Sequence, residues 1–325
     1  MNSTFLIRAA EFFTHPSDPD KMVLYRRFRE LFYGQLMRAE PIERHAVPYL
    51  GTTLPALRLP RQGGVERGTL VMHGGFDSFI EEFYSIARYF SECGYEVIAF
   101  EGPGQGAALK ESGLQLLRWE KPAKAVLDYF GAANVTWLGI SMGGWMCFRA
   151  AAFEPRISRV IALSIAYDYM LIPPAAVANF ARWLMERRAL FARLTELKMR
   201  MRPQERWGIE NLIHITRTDN ALDASQRMLE FNATNQHAER VMQDVLILSG
   251  AADHFIPLKM HHLQVAALRN ARSVTGRIFS AAEHAENHCQ VGNIGLALDV
   301  MATWAERVGA VGVDHAARLR PELVG

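Results

Sequence analysis

Apolar residues in the first 44 positions recur at helical spacing. Met22, Leu24, Tyr25, Phe28, Leu31, Phe32 and Leu36 line one side, with Arg26, Arg27 and Arg29 between them as a solvated face. Ser17-Asp18-Pro19 reads as a helix cap with proline near the first helical position. From Ala46 the pattern turns to strands. Segments 47–50 and 54–59 flank Gly51-Thr52-Thr53 and predict a hairpin. Apolar runs then follow at 68–72, 95–100, 135–138 and 160–165, separated by helical patterns at 79–92, 119–130 and 145–153. Such alternation predicts a parallel sheet with right-handed crossovers.

The alternation stops after Tyr169. Segments 175–199, 205–215 and 221–236 carry helical patterns rich in Met, Arg, Phe and Trp. Strand patterns resume at 244–248 and 273–279, and a last helix is expected over 294–308, followed by a loosely structured tail. The middle stretch therefore reads as a helical insertion within one sheet. The expected organisation is a helical N-terminal segment (1–44), a core (45–170 and 241–310), an inserted helical cap (171–240) joined by that segment, and a tail (311–325).

Composition adds mostly exclusions. The 325 residues are 50% hydrophobic and 22% charged, an ordinary globular balance. With 36 basic against 34 acidic residues the net charge is +2, which points neither to nucleic acid nor to a membrane surface. Cys93, Cys147 and Cys289 are scattered, so neither a disulfide framework nor a zinc site is expected, and a reducing cytoplasmic setting fits. The first residues lack the apolar core of a signal peptide, and no run approaches the length of a membrane span. No metal or cofactor is expected; the expected partner is a small carbonyl compound, with a homodimer as one available assembly.

The chemistry concentrates in Gly139-Ile140-Ser141-Met142-Gly143-Gly144, between a strand pattern and a helical one. A G-x-S-x-G run in that context is the sequence form of a nucleophile elbow. The turn is so tight that a side chain two residues before or after the serine would clash. The Met142 amide then opens a helix, where negative charge is favoured. A serine hydroxyl needs a base, and the base needs a carboxylate to fix its tautomer. In an elbow fold these follow in the order Ser, Asp/Glu, His, each just past a strand. Asp253 lies past strand 244–248. Two histidines, His284 and His288, lie past strand 273–279, and spacing alone does not choose between them.

Acyl transfer also needs donors for the developing oxyanion, worth about 3 kcal/mol each in the transition state. His73-Gly74-Gly75-Phe76 supplies an amide from Gly75 or Phe76 to pair with that of Met142, with His73 holding the loop. Gly102-Pro103-Gly104-Gln105-Gly106 lacks both the G-x-G-x-x-G spacing and a P-loop lysine, so it reads as a tight connection at the site's rim. Glu81 and Glu82 are adjacent on a helix and point apart, unlike a glycosidase pair. Cys147 and Cys289 read as small packing residues. Trp183, Met185, Met199, Met201 and Trp207 read as core, or as a lid selecting an apolar substrate.

Over about residues 45–310 the chain resembles the α/β-hydrolases: a mostly parallel sheet flanked by helices, with an inserted helical cap and a helical N-terminal segment. Three stretches resemble one branch more narrowly: 73–78 (HGGFDS), 100–106 (FEGPGQG) and 283–290 (EHAENHCQ). That branch includes 2,6-dihydroxypseudooxynicotine hydrolase and fungal polyketide-shortening hydrolases. Its pattern near the end reads E-G-A-x-x-H-C, which aligns its catalytic histidine with His288 and places His284 where the pattern has glycine. The resemblance implies a cofactor-free Ser141–Asp253–His288 triad cleaving a carbon–carbon bond next to a ketone. The same machinery also suits a carboxylesterase, thioesterase or lactonase, and the same fold can serve as a ligand receptor. Asp77, Tyr167, Asp168 and Tyr169 flank the expected pocket as candidate substrate contacts.

Overall fold

The computed structural model describes residues 2–116 and 119–318. Helices α1 (Asn2–Phe13) and α2 (Pro19–Leu31) come first, the second capped by Asp18 and followed by a π-helical turn at Phe32–Leu36. Strands β1 (Glu43–Tyr49) and β2 (Thr52–Leu59) form the expected hairpin. Next come β3 (Thr69–His73), α3 (Tyr84–Glu92), β4 (Glu96–Phe100), α4 (Gly106–Lys110), α5 (Glu120–Phe130), β5 (Val135–Ile140), α6 (Met142–Ala151) and β6 (Ile157–Leu163). Helices α7 (Ala175–Met185), α8 (Arg188–Met201), α9 (Pro203–Thr216), α10 (Ala221–Met228) and α11 (Ala233–Gln236) fill the insertion. The sheet closes with β7 (Asp244–Gly250), α12 (Lys259–Ala267), β8 (Ser273–Phe279) and α13 (Ile294–Arg318).

Among the described residues the strands form one sheet of order β1-β2-β4-β3-β5-β6-β7-β8. β1–β2 and β2–β4 pair antiparallel, and the remaining neighbours pair parallel. Both faces are covered, which explains the unbroken apolar runs in the sequence. On β7, Val245 and Ile247 enter one core, and Leu246 and Leu248 enter the other. The same alternation sends Val71 one way and Leu70 and Met72 the other. Each fully buried side chain of this size contributes roughly 1.5–3 kcal/mol of hydrophobic stabilisation.

The insertion and the N-terminal segment meet. Trp207 of α9 donates its indole N–H to the Phe12 carbonyl at 3.0 Å and packs on the Phe12 ring at 4.8 Å. His15 Nε2 lies 2.7 Å from Glu210 of the same helix. Several expectations need correction. The stretch 175–199 is two helices, split where Arg187 leaves helical geometry (φ −109, ψ 69) and stacks its guanidinium on Trp183. The stretch 221–236 is likewise divided into α10 and α11. Trp183 and Met201 are exposed rather than core, on outer faces of the insertion. The last helix continues past Gly309 to Arg318, and 319–325 of the expected tail lie outside the described residues.

Candidate active site

Ser141 sits between β5 and α6 with φ 60 and ψ −124, a strained conformation for a residue with a side chain. Its amide donates to Leu163 O on β6 at 2.8 Å, anchoring the turn to the neighbouring strand. The glycines around it are demanded by contact. A Cβ on Gly139 would lie 2.1 Å from Gly143 O, and one on Gly143 would lie 2.4 Å from Gly74 O. The elbow therefore packs backbone to backbone against the loop after β3.

Ser141 Oγ lies 2.8 Å from His288 Nε2, and His288 Nδ1 lies 2.7 Å from Asp253 Oδ2. An ionised carboxylate only accepts, so Nδ1 carries the hydrogen and Nε2 faces the serine. Asp253 Oδ1 accepts the Phe255 and Ile256 amides, each at 2.9 Å, which fixes the carboxylate. Its side chain is 2% exposed. Burial works against its charge, but hydrogen bonds from His288 and these amides prevail and hold its pKa below the ordinary value. For His288, burial opposes the charged ring, while Asp253 and the Cys289 side chain outweigh burial and push its pKa up to about 10.

Which histidine faces the serine follows from the backbone. His284 ends a short turn with φ 55, is exposed, and makes no hydrogen bond to Ser141 or Asp253. It occupies the left-handed conformation for which the related pattern keeps glycine. His288 lies one turn further on, where the Cys289 amide donates to Ser164 Oγ at 2.9 Å and ties the loop to the end of β6.

The loop after β3 reaches the elbow: a Cβ on Gly75 would lie 2.7 Å from the Met142 nitrogen. The Gly75 amide is already used, donating to Ser78 Oγ at 2.7 Å. Among the described residues the Phe76 and Met142 amides have no acceptor. Of the two loop amides that the sequence offers, Gly75 and Phe76, only that of Phe76 is left without an acceptor among the described residues. His73 is fully buried, and burial lowers its pKa to about 4, so the ring is neutral. Its Nδ1 lies 3.0 Å from Gly74 O, holding the loop as expected.

The four candidate substrate contacts fare differently. Asp77 is buried, with Lys110 Nζ 3.0 Å from Oδ1, and its main-chain carbonyl accepts from Arg8 at 2.6 Å. It therefore braces the N-terminal segment rather than facing a substrate. Asp168 caps a short turn, accepting the Met170 amide at 2.9 Å and the Ala233 amide at 3.2 Å, and so clips the two ends of the insertion together. Tyr169 packs beside Phe231 at 6.1 Å, and Tyr167 packs against the core on the α6 side. None of the four contacts Ser141 or His288 by hydrogen bond or ring contact. Phe255 was missed: its exposed ring meets the His288 ring edge-on at 5.1 Å, at the mouth of the site. A lone phenylalanine two residues past an aspartate carries no sequence signal for that position.

Glu81 and Glu82 do point apart. Glu81 accepts from Tyr33 at 2.7 Å, while Glu82 accepts the Phe79 amide at 2.9 Å and pairs with Arg8 at 3.1 Å. Cys147 is buried, its thiol donating to Gly144 O at 3.0 Å, a packing role. No helix of the described residues is long and apolar enough to cross a membrane.

Comparison with known proteins agrees with this architecture. The family model described as alpha/beta hydrolase fold matches residues 69–286. A hydrolase of Aspergillus aculeatus is 34% identical over 191 residues, which is 50% of this chain and 44% of the relative. A hydrolase of a Fusarium species is 28% identical over 278 residues, 76% of this chain and 64% of the relative. The chain thus spans less than two thirds of either relative's length. The crystal structure of a 2,6-dihydroxy-pseudo-oxynicotine hydrolase is similar in fold, with TM-score 0.69 and 20% identity over 95% of this chain and 79% of that one.

Proposed function

Because this chain belongs to the alpha/beta hydrolase fold family, an enzyme family of hydrolases, we propose that it is a serine hydrolase that cleaves a carbon–carbon bond next to a ketone. The observation that carries this reading is the relay Ser141–His288–Asp253, at 2.8 and 2.7 Å, with two free amides beside the serine. His288 takes the Ser141 proton as Oγ attacks the carbonyl. The tetrahedral oxyanion is held by the Met142 and Phe76 amides. Collapse of the intermediate breaks the bond to the α-carbon. The bonding electrons leave as an enolate or an electron-rich ring, which takes the proton from His288. Water, deprotonated by His288, then releases the acyl group from Ser141. Asp253 keeps the imidazole in the working tautomer throughout.

The choice of a carbon leaving group rests on the resemblance carried by 73–78, 100–106 and 283–290, and on a fold neighbour named a 2,6-dihydroxy-pseudo-oxynicotine hydrolase. The exposed Phe255 ring beside His288, and the part-buried Phe76 ring facing Trp207 at 6.4 Å, favour an apolar or aromatic substrate. A panel of aryl β-diketones and p-nitrophenyl esters, with products identified by mass, tests this. Diketones split into an acid and a ketone are expected. Turnover of esters alone would contradict the carbon–carbon assignment and leave a carboxylesterase.

A further inference from the structure

The run Gly102-Pro103-Gly104-Gln105-Gly106 lies outside the relay, yet its glutamine reaches into the site's wall. Resting on the reading of Ser141 as nucleophile, we propose that Gln105 is the positioning residue that sets the direction of the oxyanion-binding amide of Phe76. The Gln105 side chain is buried, 1% exposed. Its Oε1 accepts the Gly102 amide at 3.0 Å. Its Nε2 donates to two successive carbonyls of the loop after β3, Gly74 O at 2.8 Å and Gly75 O at 2.9 Å. The amide's acceptor and both its hydrogens are thus committed. One donor on one side and two acceptors on the other leave a single orientation that satisfies them.

Peptide planarity carries the consequence to the site. In a trans peptide the C=O and the following N–H point in opposite directions. Fixing Gly74 O toward Gln105 turns the Gly75 N–H away, and that N–H meets Ser78 Oγ at 2.7 Å. Fixing Gly75 O in the same way turns the Phe76 N–H away from Gln105, and Gly75 itself packs against the Met142 nitrogen, where a Cβ would lie 2.7 Å away. That N–H has no acceptor among the described residues, so it is aimed and unspent. The next residue pins the far end: Asp77 holds φ 42, its carbonyl accepting from Arg8 and its carboxylate from Lys110. With Gln105 removed, the Gly75–Phe76 peptide is free to turn, and the donor is lost without any change to Ser141, His288 or Asp253.

Glutamine is required by this geometry. Glutamate keeps the acceptor for Gly102 but cannot donate, and its charge repels both carbonyls. Methionine keeps much of the volume and none of the hydrogen bonds. Gln105→Glu and Gln105→Met are therefore compared with the intact chain for melting temperature, for kcat and KM on p-nitrophenyl butyrate from pH 6 to 10, and for the Ki of an aryl trifluoromethyl ketone. The ketone adds to the serine and presents an oxyanion. The expected result is a kcat lowered roughly 100-fold, the scale of one lost oxyanion donor. KM and the apparent pKa of the profile stay as in the intact chain, and the inhibitor weakens by the same factor as kcat/KM. Folded variants with unchanged Ki, or a pKa that moves with kcat, would overturn the proposal. A crystal structure of the intact adduct checks it without a substitution: the oxyanion should lie about 3 Å from the Phe76 and Met142 nitrogens, with Gln105 still on Gly75 O. An oxyanion held by other donors would also overturn it. An intact chain inert to ester and ketone alike would instead overturn the hydrolase reading.

Discussion

At the scale of single residues, the raised pKa of His288 makes a prediction with a definite sign. A base must be neutral to accept the serine proton, and Asp253 and Cys289 push this ring up to about 10. Ester kcat/KM should therefore rise with pH through an apparent pKa above the ordinary histidine value of about 6.5. Asp253→Asn should move that pKa down and lower kcat by about 10⁴, since the ring loses its tautomer control. His284→Ala should leave the profile in place, and a dead His284→Ala enzyme would contradict the assignment of the base. The same shift bears on stability. A base whose folded pKa is raised stabilises the fold below its unfolded pKa, and that contribution is lost as pH rises through about 10. The stability gap between the intact chain and His288→Ala should shrink over that range, which thermal unfolding at stepped pH measures.

Ser141 and Asp253 were legible because each follows its own strand in the order an elbow fold requires. His288 needed the resemblance, since the two histidines differ only in backbone: one caps a turn at φ 55 and the other faces the serine. That the Phe76 amide, and not that of Gly75, is left without an acceptor was not legible. It depends on where Ser78 Oγ goes, and that contact is set by a turn rather than by composition.

At the scale of elements, the N-terminal helices are fastened to the site by buried charge. Arg8 pairs with Glu11 and Glu82 and donates to Asp77 O, while Lys21 and Lys110 lie 3.2 and 3.4 Å from Glu11. Breaking a buried ion pair by removing one partner leaves an uncompensated charge and costs about 3–5 kcal/mol. Arg8→Met should destabilise the chain on that scale in urea unfolding, and should also lower kcat by releasing the Asp77 carbonyl. A loss below about 1 kcal/mol would show that the network is solvated. The sequence showed α2 by its apolar stripe but not the network, because Arg8 and Glu11 are paired by Asp77, Glu82 and Lys110, more than fifty residues further along the chain. Helix α12 was hidden for a related reason. It turns the polar His261 and Gln264 inward, so its apolar periodicity is faint. Helix α4 is short, and its glycine-rich approach read as loop.

At the scale of the molecule, the site lies where the carboxyl ends of β3, β5, β6, β7 and β8 meet the inserted helices. The insertion reaches it through Trp207, whose ring lies 6.4 Å from Phe76, and is closed at its base by Asp168. The α/β layering was legible throughout, because a sheet buried on both faces writes itself as unbroken apolar runs. The faces of the insertion were not, since Trp183 and Met201 point outward despite their apolar character. We infer that this arrangement makes Ser141 a nucleophile. Incubation with a fluorophosphonate followed by intact-mass and peptide analysis tests it most directly. One adduct per chain is expected, on Ser141, formed slowly by Asp253→Asn and absent from Ser141→Ala. An unlabelled native chain, or a Ser141→Ala variant that is still labelled, would contradict it.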